Sequence, residues 1–113
     1  ELADSALAKH APPGGFDLVV GDLSFISMLG ALPLLAPWLS AKGQALLLIK
    51  PQFEVGPKHV SRGGLVKDVA QFALLEARAR EACAALGWRV NGYFESAIHG
   101  GDGNTEFFLW AAT

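Results

Sequence analysis

Three features of this 113-residue sequence predict an α/β fold. Short apolar runs alternate with stretches of helical spacing. Most of the runs are bounded by Gly- or Pro-bearing turns. The last two runs are separated by a glycine-rich turn alone, with no helix between them. Strands joined through helices pair in parallel by crossover connections. Two closing strands without a helix between them must pair differently, and an antiparallel pair is the natural solution. The expected order is αβαβαββ, with parallel strands and an antiparallel closing pair.

Each element has a local reason. Residues 2–10 carry Leu2, Ala3, Ala6 and Leu7 on one side of a short helix, which Pro12-Pro13-Gly14-Gly15 ends. Phe16 to Val20 is an apolar strand, carried by Gly21 to an acidic end at Asp22. Ser24 to Leu39 reads as an irregular helix, capped by Ser24 or Ser27, in which Pro33 makes a kink or marks the true start. Ala41-Lys42-Gly43 is expected to turn the chain into a strand from Gln44 to Ile49, stopped by Lys50-Pro51. Residues 51–66 hold Pro51, Gly56, Pro57, Gly63 and Gly64, which suggests a long mobile loop of functional character. Asp68 with Gln71 opens a helix in the manner of a capping box. Val69, Phe72, Leu75, Ala79, Ala82, Cys83 and Leu86 keep its spacing, and Gly87 takes the C-cap. Trp88 to Phe94 and Thr105 to Ala111 are the closing strands, joined by the turn His99 to Asn104.

Composition narrows the function. Apolar residues make up 51% and charged residues 18%, enough for a packed core and unlike a disordered chain. A net charge of −2 excludes a self-sufficient grip on nucleic acid, which rests on clustered Lys and Arg. The single cysteine, Cys83, excludes an internal disulfide and any multi-cysteine zinc site, and it reads as core filler in a reducing, cytoplasmic setting. His10, His59 and His99 lack ligand spacing, so no metal is assigned. The longest apolar region, Leu29 to Leu39, is too short for a membrane span and is broken by Gly30, Pro33 and Pro37. Glu1, Asp4 and Lys9 interrupt any secretory signal. The opening Glu1-Leu2 falls inside a helical pattern, so the sequence reads as part of something longer.

In open α/β sheets, sites form beyond the carboxyl ends of the parallel strands. Two predicted strands end there in charges, at Asp22 and at Lys50. If the two strands are neighbours, these residues share a rim. An antiparallel strand begins at that same rim, which brings in Glu106, a carboxylate within an apolar run that needs a partner. Convergence of Asp22, Lys50 and Glu106 is therefore expected.

The stretches "VVGDLSFIS" (19–27), "LLIKPQFEVG" (47–56) and "GNTEFFLW" (103–110) resemble, in order and spacing, the motifs of the FtsJ-like ribose methyltransferases. The resemblance is to their TlyA-type branch, which also carries the name hemolysin A, and it runs from about Phe16 to the end. It implies a Rossmann-like, class I S-adenosylmethionine methyltransferase sheet that methylates ribose 2′-hydroxyls of ribosomal RNA. It implies a Lys-Asp-Lys-Glu catalytic set whose last three members match Asp22, Lys50 and Glu106, with Asp22 also beside the cofactor. The first lysine of that set, the glycine-rich cofactor turn and a small S4-like RNA-binding domain have no counterpart in these residues. They are expected upstream, which makes residues 1–113 the C-terminal half of the domain. A fragment of this kind is expected to be inactive by itself and to self-associate through its uncovered edge. The implied partner is ribosomal RNA or a ribosomal subunit, in the cytoplasm and not at a membrane.

Activating a ribose hydroxyl suits a lysine that acts as general base only when neutral. Asp22 and Glu106 would favour its charged form, and the absent lysine would oppose them. Lys58, Arg62 and Lys67 form the best basic patch for RNA phosphates, although each one, like Glu54 and His59, also reads as a solvated loop residue. Phe25 reads as a core aromatic or as the lining of a substrate groove, and Asn104 as a substrate-orienting residue or a turn cap. The competing account is a non-catalytic α/β interaction module in which the charged trio is a buried structural knot. A membrane-active role, suggested by the hemolysin name, finds no amphipathic basic helix to support it.

Overall fold

The computed structural model describes residues 11–100 and 103–113. The expected helix over residues 2–10 lies outside them, as does part of the turn before the last strand. Four strands form one mixed sheet: β1 (Phe16–Gly21), β2 (Leu39–Ile49), β3 (Arg89–Glu95) and β4 (Phe107–Ala112), in the spatial order β1-β2-β4-β3. The β1–β2 pair is parallel, while β4 runs antiparallel to both of its neighbours. The predicted α/β class and the antiparallel closing pair are both present. Two helices, α1 (Met28–Leu35) and α2 (Ala70–Ala85), connect the strands.

Strand alternation sorts the sheet into two unlike faces. Ala45, Leu47 and Ile49 of β2 and Phe107, Leu109 and Ala111 of β4 are buried in one core cluster. Against them pack Met28, Leu29, Leu32 and Leu35 of α1 and Leu75, Ala79 and Cys83 of α2, the last three spaced one turn apart on one stripe. Each fully buried Leu or Ile contributes about 1.5–3 kcal/mol of transfer free energy. Burial also pushes the Cys83 thiol up, with Arg80 opposing, so this cysteine is core filler. On the opposite face Leu18, Val20, Phe94 and Trp110 remain exposed.

Several boundaries differ from those the sequence suggests. Ala41-Lys42-Gly43 does not turn; β2 runs through it from Leu39. The β1–β2 register jumps from Phe16↔Leu39 to Leu18↔Gln44, so the extra residues form a bulge inside the strand. Gly43 permits that bulge, because a Cβ there would sit 3.1 Å from the Phe16 carbonyl oxygen and from the Ser40 nitrogen. The first connection is helical only from Met28, with Ser27 as N-cap accepting from Gly30 N–H, and Pro33 lies inside the helix. At the start of α2 the Asp68 carboxylate accepts from Ala70 N–H at 3.0 Å. Val69, expected on the apolar stripe, is exposed. The end of α2 is a Schellman arrangement, with Gly87 at φ +76, Trp88 N–H donating to Cys83 O and Gly87 N–H to Ala84 O.

Nor is residues 51–66 a structureless loop. It contains 3-10 turns at Pro51–Phe53 and Pro57–His59. Its far end is held by Asn104, whose Oδ1 accepts from Val66 N–H at 2.9 Å and whose Nδ2 donates to Gly64 O at 2.7 Å.

Tyr93, on β3, stacks on Phe107 at 5.4 Å, and its buried hydroxyl finds no hydrogen-bond partner among the described residues. Burial, with smaller contributions from Glu76 and Glu54, raises its pKa above the ordinary tyrosine value. The native state therefore holds the phenolic proton more tightly than the unfolded chain does. The associated stability is complete below about pH 10 and falls as pH rises beyond it. Tyr93→Phe should match or exceed wild-type stability at neutral pH, since it removes an unpaired buried hydroxyl, and should flatten the alkaline decline. Urea denaturation across pH 7–11 checks this; a mutant destabilised by more than about 1 kcal/mol at neutral pH would show that the hydroxyl is satisfied after all.

Candidate active site

The β2 ladder positions the rim. Gly21 pairs with Leu47 on the parallel side, and Ile49 pairs with Phe107 on the antiparallel side. Asp22, Lys50 and Glu106 each lie one residue beyond these paired positions. Lys50 follows directly on β2, an interior strand of the sheet, and Pro51 stops the chain there by opening a 3-10 turn. Its stem is packed, with only 13% of the side chain exposed, and its ammonium nitrogen lies 2.6 Å from Asp22 Oδ1. Lys50 Nζ also donates to Ser24 Oγ at 3.0 Å. The ammonium is thus held by two oxygens from the segment that follows β1.

Glu106 behaves differently. It is buried, just outside β4 rather than within it, and its backbone carbonyl accepts from Ser96 N–H at 2.7 Å. Among the described residues its carboxylate makes no ion pair, and Lys50 pairs with Asp22 alone. The structure therefore joins two members of the expected trio and leaves the third unlinked. Asp22, with 66% of its side chain exposed, is no part of a buried three-charge knot.

Two aromatic rings, Phe25 and Phe53, lie on the same two segments as the ion pair. Phe25 is 86% exposed, so it is not a core aromatic. Its φ of 68° is a left-handed conformation that bulky residues seldom adopt, a form of local strain that clusters at functional sites. The ring stands 5.2 Å from that of Phe53. An open groove of about 310 Å³, lined by Val20, Gly21, Asp22, Leu46, Leu48 and Phe108, runs from the rim onto the exposed sheet face.

Lys58, Arg62 and Lys67 are exposed, and none forms an ion pair among the described residues. Glu54 corrects the reading of a solvated loop residue. It is buried, accepting from Ser27 Oγ at 2.6 Å and from Met28 N–H at 2.7 Å, and its backbone carbonyl accepts from Arg78 Nη1 at 2.9 Å. An acidic residue in a Gly- and Pro-rich loop gave no sequence signal of this. Asn104, with its side chain between Gly64 and Val66, braces the long loop. Among the described residues no group of three or more His, Cys, Asp or Glu is arranged to hold a metal, and no helix is long and apolar enough to cross a membrane.

Comparison with known proteins shows the family to which the chain belongs. The family model for FtsJ-like methyltransferases matches residues 2–113. The 16S/23S rRNA (cytidine-2′-O)-methyltransferase TlyA of Mycobacterium tuberculosis is 41% identical over 107 residues, covering 95% of this chain and 40% of that protein. The 23S rRNA (cytidine-2′-O)-methyltransferase TlyA of Campylobacter jejuni is 41% identical over 99 residues, 84% of this chain and 37% of that one. The crystal structure of a hemolysin-named protein from Lactococcus lactis superposes with a TM-score of 0.84 at 33% identity, covering 92% of this chain and 50% of that one. The chain thus spans about 40% of the length of the curated relatives it matches.

The exposure of Asp22 fixes what the ion pair contributes to folding. A pair with one largely solvated partner is worth at most about 1 kcal/mol. Asp22→Asn should shift stability by less than that, whereas a structural knot would lose several. Chemical denaturation of the two proteins side by side distinguishes the two outcomes.

Proposed function

The chain belongs to the FtsJ-like methyltransferase family, and we propose that it forms the C-terminal half of a methyltransferase domain that acts on ribose 2′-hydroxyls of ribosomal RNA. The observation that carries the proposal is Lys50. A nearly buried lysine ends the central strand and meets Asp22 at 2.6 Å, where the neighbouring parallel strands both finish. That is the rim at which open α/β sheets bind their ligands.

Each residue then has a task. A 2′-hydroxyl placed in the position of Ser24 Oγ would meet Lys50 Nζ directly. With the amine neutral, Nζ would accept the hydroxyl proton and leave the 2′-oxygen free to act as the nucleophile. Asp22 orients the lysine from the solvent side. Glu106, whose carboxylate makes no ion pair among the described residues, is open to pairing with a group outside these residues. In this reading that group is a substrate hydroxyl or the further lysine of the family's catalytic set. The exposed Phe25 ring, with the half-buried Phe53 beside it, offers a surface on which a base can stack. Lys58, Arg62 and Lys67 supply positive charge for the RNA backbone.

S-Adenosylmethionine suits the groove beside Asp22, whose apolar floor of Val20, Leu46, Leu48 and Phe108 fits one face of its neutral adenine ring. When bound, it supplies an electrophilic methyl group. These residues make one wall for it, and in this reading the glycine-rich turn that holds the rest lies in the other half of the domain. The protein works in the cytoplasm, where ribosomal RNA is found.

In the full-length protein, Lys50→Ala should abolish methyl incorporation into ribosomal RNA and leave S-adenosylmethionine affinity within about threefold, because Lys50 acts on the hydroxyl and not on the donor. Tritiated-methyl transfer and calorimetry measure the two quantities. Methyl incorporation by the mutant at the wild-type rate rules the role out. The same reading makes residues 1–113 alone inactive and self-associating through the bare face of the sheet, visible as a dimer or larger species by light scattering.

A further inference from the structure

The two substrate-facing segments, Asp22 to Ser27 and Lys50 to Glu54, are joined at a second point besides the Lys50–Asp22 pair. Glu54 Oε1 takes the Ser27 hydroxyl proton at 2.6 Å, and Oε2 takes the Met28 N–H at 2.7 Å. Ser27 closes the segment that carries Asp22, Ser24 and Phe25, and Met28 follows it as the first residue of α1. The carboxylate itself belongs to the segment that carries Lys50 and Phe53. Ser27 Oγ is committed a second time, accepting from Gly30 N–H at 2.9 Å, so the contact is continuous with the first turn of α1. From the other side, Arg78 of α2 donates to the Glu54 carbonyl at 2.9 Å.

Charged hydrogen bonds of this length, in a buried setting, are the strong ones. The residues they hold are mostly exposed: Asp22, Ser24 and Phe25 all face solvent. A rigid buried contact therefore lies behind a surface that must present a hydroxyl acceptor, a carboxylate and a strained aromatic in fixed relation. The structure assigns Glu54 a role as positioning residue: its carboxylate latches the Asp22–Ser27 segment to the Lys50–Phe53 segment, setting the Lys50–Asp22 pair and the Phe25–Phe53 ring contact as one unit. The catalytic part of this rests on the methyltransferase reading above, while the latch itself stands on the contacts.

Glu54→Gln keeps the shape and removes the charge and one acceptor. Ser27→Ala removes the other side of the same contact, and carries the test if the first variant fails to fold. In the full-length protein, 4-fluorophenylalanine at Phe25 reports the ring's surroundings by fluorine NMR, independently of any activity. The latch predicts a shifted or broadened Phe25 resonance in either variant. It also predicts a kcat per folded molecule lowered about 10–100-fold, with the KM for S-adenosylmethionine within about twofold. A merely stabilising residue would lower the melting temperature and the folded fraction but leave both of those readouts in place. An unchanged Phe25 resonance in both variants overturns the latch. A kcat per folded molecule within about twofold of wild type overturns its positioning role. If the wild-type protein transfers no methyl group to RNA, the functional reading fails, and the fluorine spectrum still decides the latch.

Discussion

Everything at the rim depends on β2 being paired along both of its edges. β1 lies parallel on one side and β4 antiparallel on the other, so the register of two ladders is fixed by one strand. With Leu47 and Ile49 fully buried, a slip of one residue would turn both out of the core. That cost holds Lys50 at a single height, one position past Ile49, and puts Asp22 beside it. The bulge at Gly43 absorbs the extra residues of β2 far from this end, so the irregularity leaves the rim undisturbed.

The sheet's two faces are unlike. On one, α1 and α2 bury the apolar positions of β2 and β4 in a continuous core. On the other, Leu18, Val20, Phe94 and Trp110 are exposed and the groove beside Asp22 opens. An apolar face of this kind is unusual for a finished surface. The ion pair sits where the strands meet the loops, and the buried Glu54 contact joins the same two loop segments. Asp22, Ser24 and Phe25 are solvated here, while Glu54, which binds the end of their segment, is buried.

The sequence made the rim legible and the bracing illegible, for a physical reason. Strand ends reveal themselves because burial demands apolar runs and a charge marks the exit; this is why Asp22 and Lys50 could be paired in advance. A bulge made of Ala41, Lys42 and Gly43 has the composition of a turn, so β2 was expected to start at Gln44 when it begins at Leu39. Glu54 and Asn104 carry side chains typical of loops, and nothing in their neighbours signals that each is buried against distant backbone. Phe25 misled in the opposite direction, since aromatic character suggested the core and the ring is among the most exposed in the chain. Glu106 was expected to meet Lys50, and the register brings both to the rim, but no ion pair forms between them.

The central claim is that Lys50, held by Asp22, faces the hydroxyl that receives the methyl group. Its most direct test is a structure of the full-length protein with ribosomal RNA and a non-reactive S-adenosylmethionine analogue. The account predicts a ribose 2′-oxygen within hydrogen-bonding distance of Lys50 Nζ, in the place of Ser24 Oγ, with the Asp22 contact retained. A bound ribose at the opposite rim, or Lys50 still closed on Ser24 with the RNA in place, would contradict it.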